Sequence, residues 1–325
     1  MKKTLLLIAT LLASYVGMAQ ETYHPTAENL KAREQFQDEK FGIFLHWGLY
    51  SMMGTTEWIM TNRDINYKEY PKLAKTFYPS EFDADAWVKA IKAAGAKYIT
   101  ITTRHHDGFS LFKTATNTYN SVDGTPFKRD IIKEMADACQ RNGIKLHLYY
   151  SHLDWGREDY PVGRTGTGTG RPKEKANWAS YYKFMNTQLT ELLTNYGKVG
   201  AIWFDGWWDH DSDAKPFDWQ LEEQYALIHK LQPQCLVANN HHHTPFPGED
   251  IQIFERDLPG ENKAGLSGQS IGRLPLESCQ TINEHWGYNI TDTLYKSPKE
   301  LIQMLVRAAG KNANLLLNIG PEPGG

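Results

Sequence analysis

The chain has 325 residues, 41% hydrophobic and 22% charged, which is enough for one large buried core and too apolar for intrinsic disorder. A formal charge of −3 with no run of like charges excludes long-range attraction to nucleic acid or to an anionic lipid surface. Ten tryptophans and seventeen tyrosines instead offer flat faces on which sugar C–H surfaces can stack.

The first segment reads as a leader. Met1-Lys2-Lys3 precedes an apolar run over residues 4–16, and the small residues Gly17 and Ala19 suit cleavage after Ala19. The expectation is an exported protein, periplasmic or extracellular, whose residues 20–325 form one catalytic domain. The apolar run falls short of the ~20 residues of a spanning helix and no second one follows, so no membrane span is expected. Beyond it, β-branched and aromatic runs alternate with amphipathic ones, the βα pattern of a parallel sheet.

The pattern predicts eight strands over residues 41–47, 97–103, 144–151, 199–205, 235–239, 251–255, 276–282 and 313–319. Helices are predicted over 84–94, 130–142, 178–196, 220–231 and 298–309, the first capped by Asp83 and Gly95. Helix, glycine and strand follow one another at Gly95, Gly143 and Gly197. Eight such strands make a (β/α)8 TIM-like barrel. Residues 163–172, rich in glycine, lack the Lys-Ser/Thr of a phosphate loop and read as a flexible surface loop. Only Gly320 and Pro-Glu-Pro-Gly-Gly follow the eighth strand. The last helix is therefore expected to be missing, the chain truncated, and the outer face of that strand an exposed apolar patch.

Active sites of such barrels lie at the carboxyl ends of the strands. Asp205 closes the apolar run 200–204 and precedes Gly206, which puts a carboxylate at the barrel mouth, where it is costly unless paired or used. An N-cap role is made less plausible by the Gly-Trp-Trp that follows. Glycosidic cleavage needs a second carboxyl group. Glu255 closes the sixth strand, and Phe254 beside it is expected to desolvate it and raise its pKa; a salt bridge to Arg256 or a nearby lysine is its plain structural reading, and Glu261 and Glu277 are the alternatives. His46, His105, His106 and Tyr149, at other strand ends, suit sugar hydroxyls.

Metal ligation by His105-His106 or His241-His242-His243 is the minority reading, because neighbouring strand residues face opposite ways and no HExxH spacing occurs; no cofactor is expected. Neither a Gly-x-Ser-x-Gly elbow nor GxGxxG after a strand is present. Cys139, Cys235 and Cys279 read as buried free thiols, with one disulfide left open by an oxidising compartment.

Several motifs occur in order: Phe41-Gly-Ile-Phe-Leu-His-Trp-Gly48, Glu57-Trp58, Thr103-Arg-His-His-Asp-Gly-Phe109, Leu148-Tyr149-Tyr150-Ser151, Ile202-Trp-Phe-Asp-Gly206, Glu277 before Trp286-Gly-Tyr288, and Asn314-Leu-Leu-Leu-Asn-Ile-Gly-Pro321. Together they resemble the retaining alpha-L-fucosidases of glycoside hydrolase family twenty-nine. The resemblance implies double displacement on terminal alpha-L-fucosides of glycans, with Asp205 as nucleophile. It also implies a fucose pocket lined by His46, Glu57, Trp58, His105, His106, Tyr149 and Trp203. Asp250-Ile-Gln-Ile-Phe-Glu255 resembles the segment carrying the general acid in some members, and Glu277 a supporting carboxylate. Members usually continue into a C-terminal β-sandwich, which is expected to be absent here. A silent sugar-binding barrel and a metal-dependent hydrolase are the competing readings.

Overall fold

In the computed structural model, residues 23–325 are described, and the leader read over residues 1–19 lies outside them. The elements, in chain order, are α1 (Ala27–Glu39), β1 (Phe41–Leu45), α2 (Ile59–Asn62), α3 (Ala84–Ala93), β2 (Tyr98–Arg104), α4 (Ile131–Asn142), β3 (Lys145–Ser151), α5 (Trp178–Asn195), β4 (Ala201–Asp205), α6 (Leu221–Leu231), β5 (Leu236–Asn240), β6 (Gln252–Glu255), β7 (Leu276–Thr281), α7 (Pro298–Gly310) and β8 (Ala313–Ile319). All eight predicted strands form, because short β-branched and aromatic runs buried on both faces suit a parallel sheet. Asp83 caps α3 by accepting from Ala86 N at 3.0 Å, and Ser297 and Glu300 form a reciprocal capping box on α7.

The strands pair in parallel in the order β5-β4-β3-β2-β1-β8-β7-β6. A single bridge between Ala238 and Ile251 joins the two outer members, so the sheet is a nearly closed barrel. Alternation along the strands divides the core. Phe44, Tyr98, Tyr149, Trp203, Cys279 and Leu316 point inward, whereas Ile43, Ile101, Leu148, Ile202, Leu315 and Leu317 belong to the layer beneath the helices.

Three features depart from expectation. Among the described residues no α-helix joins β5 to β6 or β6 to β7, so the outer ring has no helix over that side of the barrel. Helix α1 lacks a regular apolar stripe and buries only Asn29 and Phe36. Even so, it seals the floor of the barrel. Phe36 packs 5.4 Å from the Tyr98 ring, its carbonyl accepts from Asn314 Nδ2 at 2.7 Å, and Arg33 pairs with buried Asp250 at 2.5 Å. Finally, β8 is not exposed. Its residues 313–318 are buried, with Leu301, Met304 and Leu305 of α7 in the same apolar layer as Leu315 and Leu317. Exposed apolar surface lies one layer farther out, at Ile302 (63% exposed) and Val306 (64%) on α7.

Residues 163–172 are not a loose loop either. Thr165 N and Oγ1 donate to Asp209 Oδ1 at 2.8 and 2.6 Å, Gly166 N donates to Thr61 Oγ1 at 2.9 Å, and Arg171 is buried with Nη1 2.9 Å from Tyr160 O. Cys139, Cys235 and Cys279 are buried free thiols.

Candidate active site

Asp205 is the last residue of β4, inward by the same alternation that turns Trp203 to the barrel axis. The chain then bends at Gly206, whose N–H donates back to Asp205 Oδ1 at 2.8 Å. Where a Cβ at Gly206 would stand, Leu153 lies 3.0 Å away, and φ is +93°. The following 3₁₀ turn, Trp207–His210, brings Trp208 Nε1 to 3.0 Å from the same oxygen. Tyr149 OH donates to Oδ2 at 3.0 Å. The carboxylate therefore holds donors from three segments and caps no α-helix. Burial and the nearby Glu255 push its pKa up to about 6.

Glu255 closes β6 and faces the same space. Asn240 Nδ2 lies 2.8 Å from Glu255 Oε2 and 3.4 Å from Asp205 Oδ1, and so spans the two carboxylates. His242 Nε2 meets Glu255 Oε2 at 2.8 Å. Burial alone would raise Glu255, but these contacts outweigh it and hold the carboxyl below its ordinary value, opposite to the shift expected from Phe254. Arg256 does not pair with it: a left-handed φ of 59° turns the guanidinium toward Glu284 O, 2.9 Å away.

His46, His105 and His106 are buried and neutral, all three pushed down by desolvation, His46 to about 3. Their tautomers follow from their partners. Asn318 Nδ2 donates to Trp286 O at 2.7 Å, so its Oδ1 accepts from His46 Nδ1–H at 2.6 Å. Ser151 Oγ donates to Leu153 O at 2.6 Å and must accept from His106 Nδ1–H at 2.7 Å. In both rings Nε2 is left as the acceptor, and that of His106 stands 3.5 Å from Asp205 Oδ2. His105 stacks on Tyr149 at 5.4 Å. Before them in the chain, Arg104 is buried against Asp154 at 2.5 Å and Ser151 O at 2.5 Å, which locks the ends of β2 and β3 together.

Glu57 accepts from Gly287 N at 2.8 Å and so fixes the segment carrying Trp286. Trp58 stacks on Trp208 at 5.5 Å, and Trp203 Nε1 donates to Glu277 Oε1 at 2.8 Å. His46, Glu57, Trp58, His105, His106, Tyr149, Trp203, Asp205 and Glu255 all line one pocket of about 190 Å³. Of the alternative acids, Glu277 is buried below it between Tyr98 OH and Trp203, its pKa raised to about 7 by burial. Glu261 pairs with Arg307 at 2.6 Å and Lys263 at 3.0 Å, away from the pocket.

The sequence matches the family model for alpha-L-fucosidase over residues 10–325. It is 29% identical over 337 residues to a putative alpha-L-fucosidase of Caenorhabditis elegans, covering 95% of this chain and 65% of that protein. It is 30% identical to the plasma alpha-L-fucosidase of Rattus norvegicus, covering 98% and 70%. The chain belongs to the alpha-L-fucosidase family, a family of glycoside hydrolases.

It spans about two thirds of the length of these curated family members. Solved structures agree on the fold. Alpha-L-fucosidase isoenzyme 1 from Paenibacillus thiaminolyticus superposes with a TM-score of 0.79 at 37% identity, over 90% of this chain and 72% of that one. The alpha-L-fucosidase of Lactobacillus casei, solved with alpha-L-fucose, gives 0.78 at 29%, over 91% and 93%. A mutant of the latter was solved with 4-nitrophenyl alpha-L-fucopyranoside, at 29% identity, a TM-score of 0.77, and over 90% and 93%.

The same pocket also contains residues that strand-end reasoning omits, among them Phe44, Arg164, Trp208, Asn240, His242 and Trp286. Applied to β5, that rule points to Asn240 and the histidines after it. Arg164 carried no local signal, since only the folding of its loop brings it to the mouth. Among the described residues no group of three or more His, Cys, Asp or Glu side chains is arranged to hold a metal ion.

Proposed function

We propose that the chain hydrolyses terminal alpha-L-fucosides of glycans with retention of configuration, Asp205 acting as nucleophile and Glu255 as general acid and base. The observation that carries this reading is the pair of inward carboxylates spanned by one Asn240 amide, at 2.8 and 3.4 Å. So close a pair suits the ~5–5.5 Å separation of retaining enzymes better than the ~6.5–9.5 Å that admits the water of an inverting one. The sugar itself would be held by the acceptor nitrogens of His46 and His106, which suit hydroxyl donors. Phe44, Leu266 and Trp286 give the pocket an apolar side that suits the methyl group of a 6-deoxy sugar. In the first step Asp205 attacks C1 while Glu255 gives its proton to the departing glycosidic oxygen. In the second, water attacks C1, Glu255 takes its proton, and Asp205 is released. The Lactobacillus casei enzyme, solved with alpha-L-fucose and, as a mutant, with an aryl alpha-L-fucoside, supports this substrate class.

The test is proton NMR of an aryl alpha-L-fucoside during turnover. Alpha-L-fucose should appear first and mutarotate afterwards, and Asp205→Ala should lower kcat by at least ~10⁴-fold while still folding. Beta-L-fucose as first product, or no turnover by the folded wild type, contradicts the proposal.

A further inference from the structure

The segment after β5 places three histidines in a row, and they do different things. His241 Nε2 contacts buried Glu249 at 3.0 Å, while the backbone N–H of His243 donates to His241 Nδ1 at 3.0 Å and its ring packs 5.0 Å from Trp207. His242, between them, has a left-handed φ of 68°, a conformation that costs a residue with a Cβ on the order of 1 kcal/mol. That turn carries the ring into the pocket mouth and onto Glu255 Oε2, 2.8 Å away. Neither the nucleophile nor the sugar-binding groups account for this strained placement.

We propose that His242 is the proton partner of Glu255: the two side chains hold one proton between them, on His242 Nε2 while the pocket is open to water and on Glu255 Oε2 once a sugar closes it. This rests on the reading of Glu255 as general acid. An imidazolium–carboxylate pair is favoured at a wet mouth, and the neutral pair is favoured when substrate displaces that water. The proton need only cross the existing contact. It then passes from Glu255 to the glycosidic oxygen as the C1–O bond breaks. The proton taken from water in the second step restores the pair, so no proton is gained or lost over the cycle.

The surroundings agree. His242 faces Glu255 and Asp205, both of which favour its charged form, and Arg164, which opposes it, while its own charge in turn lowers the neighbouring His243. Glu255 faces His242 and the Asp205 carboxylate, with the Arg256 charge, turned toward Glu284 O, neutral His46 and the Cys279 thiol nearby. Desolvation would lower His242, yet its contact with Glu255 holds it above its ordinary value.

His242→Asn and His242→Gln test the proposal. Asparagine tolerates left-handed backbone and keeps the loop, and glutamine keeps an N–H toward Glu255. The alkaline limb of kcat/KM should move about one to two pH units toward acid, because a carboxyl group now holds the proton alone. The loss should be large for methyl alpha-L-fucoside and small for the 2,4-dinitrophenyl fucoside, whose leaving group needs no proton. An unmoved alkaline limb overturns the proposal. Glu255→Gln separates the two readings: undiminished cleavage of the methyl fucoside by that variant would defeat the general-acid assignment itself. Imidazole NMR of the wild type reads the same proton without a variant. His242 should be an imidazolium at pH 6 in the free enzyme and neutral with L-fucose bound; a neutral ring in the free enzyme overturns the proposal.

Discussion

Asp205 stands at about 6 in the folded chain, because burial and Glu255 disfavour its charge, against ~3.9 for an unfolded aspartate. Between those values the folded state binds more protons than the unfolded one, so this group's contribution to stability falls as pH rises through the window. At pH 7 the ionised side chain costs about 2–3 kcal/mol. Asp205→Asn should therefore melt higher than wild type at pH 7 and alike at pH 3.5, while losing turnover. An equal melting temperature at pH 7 would show that the site does not oppose the charge. If Asp205 is the nucleophile, as proposed, the acid limb of kcat/KM should lie near pH 6, below which its carboxylate is protonated.

One step up, the segment 163–171 and the turn Trp207–His210 form a unit around Asp209. Its Oδ1 accepts from Thr165 N and Oγ1, and its Oδ2 accepts from Tyr160 OH at 2.9 Å. Gly163 lies against it so closely that a Cβ there would stand 2.3 Å from Oδ2. Next to Asp209, Trp208 donates to Asp205. Asp209→Ala leaves three donors without their partner and frees the turn. We expect kcat/KM to drop about tenfold or more, and its acid limb to move to higher pH, because the Trp208 hydrogen bond lowers the pKa of Asp205. If the pH profile kept its shape, Trp208 would be held by something other than Asp209. The glycine-rich composition of this segment reads as slack, but here glycine permits close approach rather than motion.

For the whole molecule, the barrel is closed at its floor by α1 and at its β5–β6 seam by one bridge. Phe36 is 1% exposed and packs against the stacked rings of Tyr98 and His147. Phe36→Ala should cost about 3–5 kcal/mol in denaturant unfolding. A loss under ~1 kcal/mol would mean that α1 does not seal the floor. The C-terminal residues are tied back over β1 as well: Glu322 O accepts from Trp47 Nε1 at 2.9 Å, and Gly324 O from Glu81 N at 2.9 Å.

The sequence by itself determined the eight strands and which of their ends meet, because period-two alternation and apolar runs are local properties and a parallel barrel gathers all carboxyl ends on one face. That reasoning reaches His46, Tyr149, Asp205 and Glu255. It does not reach contacts between residues far apart in the chain. Phe36 to Asn314, Thr165 to Asp209 and Gly287 to Glu57 are such contacts, and each decides whether a polar or weakly patterned segment folds against the barrel. Likewise, the direction of the Glu255 pKa shift was set by the ring of His242, which a single left-handed backbone angle turns inward, rather than by neighbouring Phe254. Backbone handedness and charge pairing are settled by packing, so only the tertiary structure could decide them.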